Sequence, residues 1–264
     1  MLSQTEPGGV ESGRMTKRRR FSLIAIGALL AGASCAPQRA HDDPILVDPK
    51  APEGMVAVPG GPFIYGDAAM PGSRPRRVHL RGFCIDRYEY PNKPGAPPMV
   101  GVTWIEAKAL CAEQGKRLPT EFEWEKAARG PAGQPYSYGS RHDPQAARTF
   151  SLASEPGYRT GSYLRCKSPY GAFDMTGGVW EWTANPFKPG AKEISVRGGF
   201  SVKAPKLTSR AAYRAAFDRA SKSPELGFRC AFTPEGRLLK PQDPTKKEEE
   251  ADDDKEQRPG RLGG

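Results

Sequence analysis

Residues Gly115–Gly130 read GKRLPTEFEWEKAARG. Thr120, followed three positions later by Glu123, is a capping box. The hydroxyl takes one free backbone N–H of the first turn, and the carboxylate reaches back to another. Pro119 restricts Leu118 to an extended backbone, and Gly130 is a natural stop. The spacing predicts a helix over Glu121–Arg129, entered from an extended Arg117–Pro119 segment. A second capping box, Thr103-Trp104-Ile105-Glu106, predicts a helix over Trp104–Gln114 that Gly115 ends. Trp104, Ala107, Leu110 and Cys111 recur at three- and four-residue spacings and form its apolar face, so Cys111 points inward.

Four further blocks flank these helices: Met55–Gly66 (MVAVPGGPFIYG), Phe83–Asn92 (FCIDRYEYPN), Ser168–Thr183 (SPYGAFDMTGGVWEWT), and the pair Arg197–Gly199 (RGG) and Gly227–Ala231 (GFRCA). With RLPTEFEWE they resemble, in the same order, the motifs of the formylglycine-generating enzyme (sulfatase-modifying factor) superfamily. Met55–Gly66 is similar to that family's opening hairpin and Phe83–Asn92 to its following strand and turn. The resemblance covers Gly54–Thr233 and implies an α+β, C-type-lectin-like fold. Such a fold is loop-rich, with two helices and short antiparallel strands. Fold alone does not fix function.

The resemblance also implies a chemistry, which the residues of this chain then qualify. The enzymes oxidise a cysteine of sulfatase polypeptides through two redox cysteines just beyond the RGG motif, which bind copper. Thiolate sulfur is the soft ligand that Cu(I) requires. Here Arg197–Arg214 contains no cysteine, and Lys203 and Thr208 stand where the pair belongs. No copper is expected, and the oxidase chemistry reads as absent. The surrounding substrate groove then falls to Arg197, Phe200, Ser201, Lys203 and Arg210. A related branch holds iron with histidines; of His41, His79 and His142, no two show ligand spacing, and a site needs His79 and His142 to meet. The family's GNVWEW block helps bind a structural calcium. Here Gly178 replaces its Asn while Glu181 remains, leaving Glu181 either as a ligand of a weakened calcium site or as the partner of a nearby Arg. The resemblance further implies a disulfide from Cys111 to Cys230. Parity suggests that Cys84 and Cys166 pair as well, the alternative being two buried free thiols. Trp180 and Trp182 alternate as core residues of a strand.

The two ends carry different information. Lys17–Arg20, then the apolar Phe21–Leu30, then Ala31–Ser34 form the three regions of a bacterial export signal, with Met15 as the expected start. Its apolar stretch falls short of the roughly twenty residues of a stable membrane span. Gly32-Ala33-Ser34-Cys35 resembles a lipobox, making Cys35 the lipidation site; an ordinary cleavage at Ala31-Gly32-Ala33 is the alternative. The organisation read from the sequence is therefore an extension and signal (1–35), a Pro-punctuated tether (36–53), the domain (54–233) and a charged tail (234–264) expected to be disordered.

Gly and Pro, 30 and 27 of 264 residues, suit a turn-rich fold. The formal net charge is +10, and removing residues 1–35 leaves +7, since they carry five basic and two acidic residues. Such a charge usually suggests nucleic acid, but export points instead to envelope surfaces or acidic glycans. The sequence thus describes a non-catalytic module of the bacterial envelope, in the periplasm or at the outer membrane. It would be held there by its N-terminal lipid and bind an envelope protein, peptide or glycan. The alternative is a formylglycine-generating-type oxidoreductase acting on a secreted protein.

Overall fold

The computed structural model describes residues 50–149, 157–199 and 204–234. Cys35, His41, Phe200, Ser201 and Lys203 lie outside the described residues, as do the signal, most of the tether and all but the first residue of the tail. In chain order the elements are β1 (Met55–Val58), β2 (Gly61–Tyr65), β3 (Arg76–Leu80), β4 (Phe83–Asp86), α1 (Trp104–Glu113) and α2 (Glu121–Arg129). They continue with β5 (Trp180–Pro186), β6 (Ile194–Arg197), α3 (Pro205–Thr208), β7 (Ala215–Phe217), β8 (Leu226–Gly227) and β9 (Ala231–Phe232).

Both predicted helices form where their caps place them. Thr103 and Thr120 each accept from the N3 amide, while Glu106 and Glu123 return a carboxylate to the cap backbone. Arg117 adds a two-point ion pair to Glu123 at 2.7 and 2.8 Å, holding the RLP entry against α2. A third helix, α3, is a single turn that begins at Pro205.

The strands form three sheets, ordered β1-β4-β9, β2-β3 and β7-β6-β5-β8. This corrects the expectation of an opening hairpin in Met55–Gly66: β1 pairs with β4, and β2 pairs with β3. The reason is local. Pro59 follows β1, and its fixed negative φ is incompatible with the primed two-residue turns that close tight hairpins. Lys126 of α2 instead collects the carbonyls of Pro59 and Gly61 at 2.6 and 3.1 Å and turns the chain out of the first sheet. Pairing is otherwise antiparallel except between β5 and β8, which run parallel.

Two apolar clusters hold the sheets to the helices. Val56, Val58, Phe83 and Ile85 pack on Trp124, Ala127 and Ala128 of α2. Ala107 and Cys111 of α1 pack on Trp182, Ile194, Val196, Leu226 and Phe228. The Cys111–Cys230 bridge is formed, with 5.6 Å between Cα atoms and 119 residues between its ends. Closing so long a loop stabilises by about 4–5 kcal/mol in the chain-entropy model.

Cys84 and Cys166 do not pair; both are buried free thiols. Each is satisfied where it stands. Cys84 lies on the central strand β4 between Ala57 and Phe232, fully covered. Cys166 contacts the carbonyl of Thr176 at 3.3 Å and the hydroxyl of Ser137 at 3.5 Å.

Candidate functional site

Strand β6 divides its side chains between two environments. Ile194 and Val196 enter the apolar cluster, while Ser195 and Arg197 turn toward α2. There Glu121 and Glu125, one turn apart and thus on one helix face, meet a set of guanidinium groups. Arg197 lies 3.0 Å from Glu125, 3.4 Å from Glu121 and 3.1 Å from the Tyr65 hydroxyl, with no exposed surface. Arg214 reaches Glu121 at 2.8 Å, Arg129 reaches Glu125 at 2.7 Å, and the Ser195 hydroxyl donates to Glu121 at 2.8 Å. Burial alone disfavours the charge on Arg197, but Glu125, Tyr65 and Glu121 outweigh it and hold its pKa above the ordinary value.

This geometry corrects the expected groove. Arg197 is not a lining residue but part of a buried ionic floor. Arg210 is committed to Asp67 through two contacts at 2.8 and 2.5 Å, with its guanidinium 5.5 Å from the centre of the Tyr136 ring. Thr208, at one of the two positions where the enzymes carry a redox cysteine, is buried, and its hydroxyl donates to the carbonyl of Ala204, the residue that caps the start of α3. A hydroxyl so placed is no ligand for Cu(I). The residues present therefore do not fit a copper centre.

Against the apolar cluster that receives Ile194 and Val196 lies a row of partly buried aromatic side chains, among them Trp180, which the sequence already placed in the core, and Phe217. Trp180 is only half-buried, with its ring centre 5.9 Å from that of Tyr213 and 6.3 Å from that of Phe217. Gly199 makes this possible: a Cβ there would fall 2.2 Å from the indole, so the ring lies directly on backbone. Arg214 sits 4.5 Å from the centre of the Phe187 ring. Half-buried aromatic faces edged by guanidinium groups suit stacking against sugar rings or extended peptide. The four-residue spacing of Tyr213 and Phe217 was the available sequence signal.

A second buried polar cluster lies behind α2. Glu181 takes Arg229 at 2.7 Å on each oxygen, and Trp124 donates to the same carboxylate at 2.7 Å. Both oxygens are thus engaged, and a Cβ at Gly178 would lie 2.4 Å from a Glu89 oxygen. Of the two readings of Glu181, the structure takes the arginine one; the residues present do not fit a calcium ion at this carboxylate. Glu89, wholly buried, accepts from Tyr158 at 3.0 Å and from the Val179 amide at 3.1 Å. Burial, together with the charges of Asp174 and Glu181, raises the Glu89 pKa well above the usual carboxylate range. Asp174 is pushed up to about 6, chiefly by burial. His79 stands on exposed β3, and the His142 ring packs on Tyr136 at 5.5 Å. Among the described residues no group of three His, Cys, Asp or Glu side chains is placed to hold a metal.

Comparison with known proteins places this architecture. Residues 90–234 match the model of the Sulfatase-modifying factor enzyme 1-like domain. The inactive C-alpha-formylglycine-generating enzyme 2 of Mus musculus is 37% identical over 149 residues, covering 51% of this chain and 48% of that protein. The formylglycine-generating enzyme of Streptomyces coelicolor is 33% identical over 166 residues, covering 51% of this chain and 52% of that one. The chain thus spans about half the length of these curated relatives. Among solved structures, PvdO from Pseudomonas aeruginosa shares the fold at a TM-score of 0.56 and 20% identity, over 67% of this chain and 93% of that one.

Proposed function

The chain belongs to the sulfatase-modifying factor enzyme 1-like family, and we propose that it is a non-catalytic member that binds a partner at the bacterial cell envelope. One observation carries this reading: Thr208 occupies a redox-cysteine position as a buried hydroxyl bonded to the carbonyl of the α3 cap residue Ala204. Lys203, at the other position, has no sulfur either. The similarity to a relative named inactive supports the same conclusion.

Binding is carried by the half-buried row Trp180, Tyr213 and Phe217, and the ligand is an extended peptide or glycan that stacks on those rings. The floor residues Arg197, Glu121 and Glu125 hold β6 and α2 together and keep Gly198–Gly199 under the indole; they touch no ligand. Export rests on Lys17–Arg20 and Phe21–Leu30, and anchoring on lipidation of Cys35.

The test compares the full chain with Trp180→Ala on a glycan array and on isolated envelopes, alongside oxygen uptake with Cu(I) and a cysteine-containing sulfatase peptide. Retention that depends on Trp180, without turnover, is the expected result. Aldehyde formation on the peptide overturns the proposal and makes the chain an oxidoreductase. Mass spectrometry of the mature N-terminus decides the anchor, with a diacylated Cys35 expected.

A further inference from the structure

The β2–β3 ribbon joins neither of the other two sheets, and it is strongly basic. Arg74, Arg76, Arg77 and Arg81 fall within eight residues, and Asp67 is the only carboxylate from Gly54 to Ile85. That carboxylate is already taken by Arg210. Arg74, Arg76 and Arg77 are exposed and make no ion pair among the described residues; Arg76 lies 5.4 Å from the centre of the Tyr65 ring. The register sets Arg77 beside the exposed Ile64 and His79 beside Pro62. Lys126 and Arg129 collect the carbonyls of Gly61 and Ile64 on β2. Among the described residues strand β3 pairs with β2 alone, leaving an arginine-bearing edge.

β9 runs antiparallel to β4, with Ala231 opposite Ile85 and Phe232 opposite Cys84. The sequence then carries EEEADDD at Glu248–Asp254, six carboxylates in seven residues. From Pro234 to Glu248 an extended chain spans about 46–50 Å, well beyond the roughly 17 Å length of a five-residue strand.

We propose that the acidic run Glu248–Asp254 docks on the arginine edge of β3 and shields it from other polyanions. The attraction is electrostatic and intramolecular, so it acts at the millimolar effective concentration typical of short tethers. It weakens with salt, because the paired groups lie at the surface. Shielding leaves the domain's aromatic row to set its selectivity, while the basic ribbon is released only when a stronger anion or high salt displaces the run.

Hydrogen exchange on the full chain tests the docking directly. At low salt, amides of Arg76–Arg81 should exchange roughly tenfold more slowly than in a chain carrying E248Q, E249Q, E250Q, D252N, D253N and D254N, the closing ratio that a few surface ion pairs supply. The difference should vanish near 0.5 M salt, where the screening length is only a few ångströms. Heparin retention adds a second readout. R74Q/R76Q/R77Q should lower retention strongly in the neutralised chain and little in the chain with its acidic run, because there the arginines are already covered. Equal exchange in the two chains overturns the proposal, as does an equal effect of the three arginine substitutions in both backgrounds. Binding of anionic phosphatidylglycerol vesicles through these arginines, undiminished by the intact acidic run, also overturns it and assigns the ribbon to a membrane surface.

Discussion

Glu181 and Arg229 form a two-point ion pair with no solvent access to either side chain: Nε meets Oε2 and Nη2 meets Oε1, both at 2.7 Å. Burial discourages the charge on Arg229, but Glu181 outweighs it and raises the Arg229 pKa. Removing one member strands the other. Glu181→Gln should destabilise the fold by about 3–5 kcal/mol, the usual consequence of an uncompensated buried charge. Urea unfolding of E181Q, R229M and E181L/R229M checks this; the double variant should be less damaged than the sum of the two singles.

Glu89 and Asp174 give a pH dependence of definite sign. Burial raises both above their unfolded values, with neighbouring carboxylates adding to the effect on Glu89. The folded state therefore holds protons that the unfolded state has released, and stability falls as pH rises. For Asp174 the fall runs from the ordinary carboxylate value of 3.8 to about 6; for Glu89 it begins near 4.5 and continues upward. Glu89→Gln, which mimics the protonated acid, should match the wild type in mild acid and exceed it in mild alkali. Urea midpoints measured across pH for both chains give the answer, and parallel curves would count against it.

The bridge and the free thiols can be told apart by alkylation. Cys84 is shielded by burial, and Cys166 is pushed up to about 12 by burial and the Asp174 charge, so neither offers reactive thiolate. Mass mapping should find both unmodified in the native protein and both modified in denaturant without reductant. Cys111→Ser with Cys230→Ser should lower stability by about 2–5 kcal/mol.

Gly199→Ala tests the seat of Trp180. The added methyl would lie 2.2 Å from the indole, and such overpacking typically costs about 1–3 kcal/mol. The indole must move, so its fluorescence should shift and ligand retention should fall. An unchanged emission spectrum would mean that the ring does not rest there.

How much of this was legible in sequence follows the range of the interactions. The helices were readable because Thr103 with Glu106, and Thr120 with Glu123, close their contacts within one turn. The pairing of β1 with β4 was not, because nothing in MVAVPGGPFIYG says which distant strand it meets, although Pro59 argues against a tight hairpin. Arg197 was read as a groove residue because it adjoins in sequence the positions where the redox pair belongs. Only the fold brings Glu121 and Glu125 to it across more than seventy residues. The parity argument failed because neither thiol needs a sulfur partner: Cys166 reaches the Thr176 carbonyl, and Cys84 is enclosed in the sheet between Ala57 and Phe232.

The alternation along β6 has an evolutionary corollary. A slip of one residue would drive the Arg197 guanidinium into oil and bring Ile194 and Val196 against carboxylates, so this strand has a single tolerable alignment. That alignment is set between Ile194 and Arg197, before the sequence reaches the positions of Lys203 and Thr208. Lineages built on this frame are free to gain a reactive pair there, lose it, or trade it for a recognition surface, with the supporting structure indifferent to the exchange.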